Sequence, residues 1–335
     1  MFEDLPQPTR YFPIERGVYE VAAGLKPLGR EHVFQIDNQF EKYRTNKEAC
    51  RAENLKKYFL TQDYSPTVSR EVNRFLVHQF VKEHPTHFSW DGSTLQCALT
   101  GDELKLDSNY ELVSHDKYVS AFDALCSQVQ EDIAVMRRDT SIPKNWLAAL
   151  HLCSPSHWAA SQKIGKNFFD IHSPVAGIEK LNKFADNLVD TMIRKGPFSR
   201  FVWSFGTDDR LNHHPDAPPG WDPAEWKGRT FRRTGNGSPF MLRVERQVLW
   251  GLPEVDASVF MIRTSFVDGN EIRRSQRERS LLRAGLLSMT PESRIYKGLD
   301  SCFDEIISWL DEADEAVFMG IQVSALESLD SSVNP

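Results

Sequence analysis

Apolar and polar positions alternate most regularly over Met241 to Trp250, MLRVERQVLW. A period of two puts Leu242, Val244, Arg246, Val248 and Trp250 on one side of a strand and Met241, Arg243, Glu245, Gln247 and Leu249 on the other. The second side can simply be solvated. Arg246, however, interrupts an otherwise apolar row, and an unpaired buried charge costs several kcal/mol. It requires either a structural carboxylate, with Glu245 and Glu254 near in sequence, or the carboxylate or phosphate of a ligand.

The same reading extends along the chain. Residues 1–30 are Pro-rich and aromatic and read as an extended arm. Helical spacing marks 37–60 and 66–84, the latter with a stripe of Val72, Phe75, Leu76, Phe80 and Val81. Residues 94–113 predict a hairpin turning near Gly101-Asp102, followed by a helix over 116–137 and an apolar strand from Trp146 to Leu152. Ser156 is placed to cap a short helix, and Phe168 to His172 reads as a short extended run stopped by Pro174. An amphipathic helix over 177–195 ends at Gly196-Pro197, and Phe201, Trp203 and Phe205 alternate in a strand. The stretch 208–237 reads as a long loop, a class that is usually functional or mobile. Strands over 240–250 and 256–267 and helices over 271–288 and 299–317 follow, and the tail after Ser324 is expected to be disordered. This order predicts an α+β fold with one main, mainly antiparallel sheet.

Composition narrows the class. The chain has 335 residues, 40% hydrophobic and 26% charged, as in ordinary globular proteins. With a net charge of -7 and dispersed basic residues, no nucleic-acid role is expected; Arg273, Arg274, Arg277, Arg279 and Arg283 read as a solvated helix face. Five separated cysteines without CxxC spacing argue against a cysteine-pair zinc site and a disulfide framework. No apolar run approaches the roughly 20 residues that span a bilayer, and the N-terminus lacks signal-peptide character. The expectation is a cytoplasmic protein without membrane partners.

Several side chains are candidates for chemistry. His172, against the proline turn, suits an axial ligand or a catalytic base, or bonds its own loop. His213 and His214 are adjacent and so point differently, which disfavours a shared metal. Glu131-Asp132 offers an inward carboxylate or a solvated one, and Lys163 meets an anion or lies at the surface. Cys153 reads as a small buried hydrophobe rather than a thiolate ligand. No GxSxG, GxGxxG or Walker pattern occurs.

In order along the chain come Val129-Gln130-Glu131-Asp132, Pro155-Ser156-His157-Trp158 with Lys163 and Gly165, Ile171-His172-Ser173-Pro174-Val175, Arg200 with Trp203-Ser204, Leu242 to Gln247, Leu252-Pro253 and Ile262-Arg263-Thr264. Gly24 to Leu28 and Tyr296 to Leu299 flank them. Together these blocks, spanning about residues 10–312, resemble the haem-dependent oxidative N-demethylases, whose catalytic subunit is a PAS-like domain. The resemblance implies one haem-binding PAS-like domain over 1–320, with flanking N- and C-terminal helices and a tail over 321–335. It implies haem b, O₂ activation by electrons from NAD(P)H through a separate flavin and iron–sulfur reductase, and a small amine losing a methyl group as formaldehyde. His172 is then the iron ligand or lines the distal side. Arg243, Arg246 and Arg263 supply cations for the propionates, and one of them serves bound O₂ instead. Lys163 and Trp203 join the cofactor contacts, with Phe201 and Phe205 beside Trp203 giving flat apolar area, and Arg243, Glu245 and Arg246 form the catalytic set. Val202, Ala176, Val248 and Trp250-Gly251 depart from the family pattern and put the substrate in doubt. The competing reading is a non-catalytic haem-binding sensor or carrier; a third is a haem-free relative that binds another carboxylate.

Overall fold

The computed structural model describes residues 2–142, 144–228, 231 and 239–312. After the N-terminal arm come β1 (Lys26–Pro27), α1 (Phe40–Tyr58), β2 (Phe59–Thr61) and α2 (Pro66–Glu83). A small antiparallel sheet of β3 (Phe88–Trp90), β4 (Thr94–Cys97) and β5 (Asp102–Lys105) precedes α3 (Ala121–Cys126). The hairpin of β6 (Asp132–Asp139) and β7 (Lys144–His151) leads to α4 (Phe168–His172), α5 (Glu179–Asn182) and α6 (Ala185–Arg194). Then follow β8 (Phe198–Gly206), α7 (Pro223–Lys227), β9 (Met241–Leu252) and β10 (Ala257–Asp268). The helices α8 (Gly269–Arg274), α9 (Gln276–Leu287) and α10 (Pro291–Tyr296) come last, with residues 303–312 also helical.

The main sheet has the order β1-β8-β9-β10-β6-β7-β2, and every pairing in it is antiparallel. Counted from β6, its five central strands stand in the order 2-1-5-4-3, with α4, α5 and α6 inserted between the second and third. The α+β class is as the sequence predicts, and this order is compatible with a PAS-like sheet. One face, the back, packs on α2, α3 and the small sheet at one end, and on the arm and C-terminal helices at the other. The second face, the front, is covered by residues 156–195.

Local chemistry explains where the elements begin and where the pattern misleads. Ser65 caps α2, accepting from the Val68 amide, and Pro66 occupies its first turn. The expected helix over 116–137 is only α3, because Asp132 to Met136 are buried on both sides. A strand covered on both faces loses its alternation and cannot be told from a buried helix by periodicity. Phe168 to His172 is helical rather than extended, since the Asn167 side chain accepts from the Asp170 amide and starts α4. The helix over 177–195 divides at Lys183-Phe184, and that over 271–288 divides at Ser275, which caps α9. Ser156 caps nothing; it bridges to His213. Within the described residues of the 208–237 loop, Leu211, His213, His214 and Trp226 are buried while Pro219 to Glu225 are exposed. The arginine cluster is not uniformly solvated: Arg279 is buried and donates to the Arg273 carbonyl, while Arg273 lies over Trp309. The tail after Ser324 lies outside the described residues.

Candidate functional site

Strand parity decides which candidate side chains meet. Arg243, Glu245 and Gln247 of β9 point to the front, and the register sets Ser204, Val202 and Arg200 of β8 beside them. Thr264 and Ile262 of β10 flank the same row. Above it, Trp158, Ile164 and Ile171 pack toward Ala134, Leu150 and Leu152, while Phe168, Val189, Met192 and Ile193 pack toward Met136, Leu249 and Phe260. The C-terminus of α6 lies so close to β9 that a Cβ on Gly251 would stand 1.9 Å from the Ile193 carbonyl oxygen.

His172 ends α4. Its Nδ1 is 2.8 Å from the Phe168 carbonyl oxygen, and its ring lies tilted by 36° against the Phe168 ring at 4.2 Å between centroids. A carbonyl only accepts, so Nδ1 carries the proton and Nε2 the lone pair. Burial pushes the imidazole down to about 4; Lys163 and Arg200 add to this and the Phe168 carbonyl opposes it. The ring is therefore neutral at neutral pH. This is the state in which histidine ligates a metal, with the second ring nitrogen oriented by a backbone carbonyl.

Lys163 sits over Trp158, its Nζ 3.7 Å from the ring centroid. Burial pushes its ammonium down to about 8, opposed by Glu245. Burial also lowers Arg200, again with Glu245 opposing, and the buried Arg200 Nε has no hydrogen-bond partner. Arg243 is committed at its ends: Nη1 donates to Leu211 O at 3.0 Å, and Nη2 donates to Ser154 O and to Thr264 Oγ1 at 3.1 Å. Its unpartnered Nε lies 3.6 Å from Glu245 Oε1. Glu245 also accepts from Gln247 Nε2 at 3.0 Å. Glu245 thus faces three largely buried cations, with Asp132 acting on Arg243 as well, and Lys163 and Arg200 make no ion pair among the described residues. Such an excess needs an anion, because a desolvated cation without a partner is expensive.

The remaining candidates lie elsewhere. Arg246 points to the back, where Nη2 meets Glu31 Oε2 at 2.9 Å and His32 O at 2.8 Å, and Nη1 approaches Val33 O at 3.4 Å. Its carboxylate comes from Glu31, neither from Glu245 nor from Glu254. Arg263 pairs with Asp37 at 2.7 Å and stacks on Tyr43 at 3.8 Å. Trp203 packs edge-on to Tyr19 and Phe205 among the C-terminal helices. Arg246, Arg263 and Trp203 are therefore separated from His172 by the thickness of the sheet, whereas Lys163, Arg243 and Glu245 share its side. Arg200 and Trp158, absent from the expected site, join it. The apolar run Phe201, Trp203, Phe205 marked the core side of β8, so Arg200, Val202 and Ser204 necessarily turned the other way. His213 and His214 face different partners, Asp208 and Asp216.

The family model for "Haem-dependent oxidative N-demethylase, alpha subunit-like" matches residues 24–307, and the chain belongs to this family. The family is named for a haem-dependent oxidoreductase and for one subunit of a larger assembly. No helix among the described residues is long and apolar enough to cross a membrane.

Proposed function

We propose that this chain is a haem-binding oxygenase subunit whose cofactor lies between the front face of the sheet and residues 156–195. The observation that carries this reading is the charge pattern: Glu245 shared by Lys163, Arg200 and Arg243, of which only Arg243 is also near Asp132, beside a neutral imidazole with its lone pair on Nε2. A porphyrin with two propionates and an iron needing one nitrogen ligand fits those donors. His172 would hold the iron. Lys163 and Arg200 would hold propionates in place of the back-face Arg246 and Arg263, and Trp158, Phe168, Ile171 and Leu249 offer flat apolar contact.

When bound, haem supplies O₂ binding and the oxidation itself. Around it, Glu245 is oriented by Gln247 and Arg243, ready to accept a hydrogen bond or hold a proton at a carboxylate oxygen. Lys163, near 8, holds or releases a proton at Nζ close to physiological pH. The apolar cover excludes bulk water. In the balanced reaction, an N-methyl amine, O₂, two electrons and two protons yield the demethylated amine, formaldehyde and water. The electrons would come from NAD(P)H through a separate flavin and iron–sulfur reductase, in the cytoplasm.

The test is an absorption spectrum of the haem-supplemented protein, oxidised and then reduced with and without CO, followed by formaldehyde release from N-methyl amines with a surrogate reductase. A stoichiometric Soret band that shifts with CO and is lost or displaced in His172→Ala is the expected result. No haem uptake would overturn the reading. Haem uptake without formaldehyde from any amine would favour a sensor or carrier.

A further inference from the structure

A second constellation, beside the front-face site and made of other side chains, lies where β6 and β7 meet α1. His151 closes β7, Asp132 opens β6, and Cys153 follows two residues after the histidine. Their ligand atoms all lie within 4.8 Å of one another. All three are buried, at 1% exposure or less, as is Cys50 of α1 at 2%.

Each donor is held from behind. His151 Nε2 lies 3.2 Å from Asp123 Oδ1, and Asp123 is itself paired with Arg51. A carboxylate there requires the proton on Nε2 and turns Nδ1 toward Cys153 Sγ, 3.9 Å away. Carboxylate behind imidazole is the usual outer support of a metal-bound histidine. Asp132 is fixed by the Cys153 amide, 2.9 Å from Oδ1, and the Ser154 amide, 2.6 Å from Oδ2, and it makes no ion pair among the described residues. The Cys50 thiol donates to the Cys153 carbonyl oxygen at 3.6 Å, which leaves it beside the three clustered donors and not among them. Zn–S of about 2.3 Å and Zn–N of about 2.0–2.1 Å in a tetrahedron imply about 3.5 Å between sulfur and nitrogen. The observed 3.9 Å exceeds that value by about 0.4 Å, and all three donor atoms lie within 4.8 Å of one another.

Cysteine, histidine and aspartate in this order also resemble a hydrolytic triad, but complete burial denies any substrate access to the thiol. A closed cation site is what the enclosure allows. We propose that Asp132, His151 and Cys153 form a structural zinc site, which the neighbouring Cys50 thiol completes by turning from the Cys153 carbonyl toward the metal. It would tie α1, β6 and β7 together directly behind Ser154, whose carbonyl holds Arg243.

The experiment uses the full chain as isolated after growth with added zinc. Metal content is measured by mass spectrometry after native chelator treatment, and the zinc environment by X-ray absorption at the zinc edge, which haem iron does not obscure. About one zinc per chain, with sulfur at about 2.3 Å in the first shell, is expected. Cys153→Ser should lose the zinc, and Asp123→Asn, which keeps every donor, should weaken zinc affinity about 10- to 100-fold. Trace zinc only, a shell without sulfur, or undiminished zinc in Cys153→Ser would overturn the proposal. Should the variants fail to fold, stoichiometry and shell of the unaltered chain decide alone.

Discussion

Lys163 and His172 set opposite pH limits on the front-face site. Lys163 is charged below about 8 and neutral above it in the folded chain, whereas in the unfolded chain it stays charged to the ordinary lysine range. Between those values the unfolded chain binds the extra proton, so Lys163 makes the apoprotein more stable as pH rises through that window. Anion binding runs the other way: haem affinity should fall as pH passes about 8. A pH series of haem transfer to an acceptor protein should show this step in the parent and none in Lys163→Met. His172, at about 4 against an unfolded value near 6.5, costs stability as pH falls through that interval, so acid unfolding of His172→Gln should begin at lower pH. Arg246 belongs to a different argument. Arg246→Met should reduce stability by about 1–3 kcal/mol, by stranding the carbonyls of His32 and Val33, yet leave any Soret band in place. Urea titration and one spectrum separate the two effects. His172 and Lys163 stood out in the sequence by type and turn context. Whether Arg243 or Arg246 faced them could not, because parity within β9 says nothing about which side the residues 156–195 cover.

At the scale of elements, β8, β9 and β10 were legible because each has one apolar side and one mixed side. β6 was not, because both of its sides are buried. α4 was hidden by its length: one turn, begun by Asn167, carries too few residues for a helical period to register. The contact of α6 with β9 was equally invisible, since it depends on what Gly251 lacks. Gly251→Ala would drive a methyl group into the backbone of Ile193 and Met192, which cannot rotate away as a side chain would. A loss of about 1–3 kcal/mol is expected, together with faster amide exchange in α6 than in α2. Unchanged exchange in α6 would mean the helix is not held by this approach.

For the whole molecule, cofactor and fold should be linked by mass action. Haem at 100 times its dissociation constant adds about 2.7 kcal/mol, so the melting temperature should climb with haem concentration in the parent and much less in His172→Ala. Differential scanning calorimetry reads this directly. Family membership was legible from the ordered blocks alone, while the division of those blocks between two faces of one sheet required coordinates. That division has a consequence for divergence. The cover leaves the sheet at β7 and returns at β8, four strand spacings away, about 19 Å at roughly 4.8 Å each. The 46 residues between His151 and Phe198 far exceed that span, so the stretches of that segment apart from Cys153, Ser154, Lys163 and His172 are free to be rewritten. A chimera that keeps β6 to β10 together with Cys153, Ser154, Lys163 and His172, and exchanges the rest of this crossing segment, would change what the pocket admits while leaving the strand register untouched.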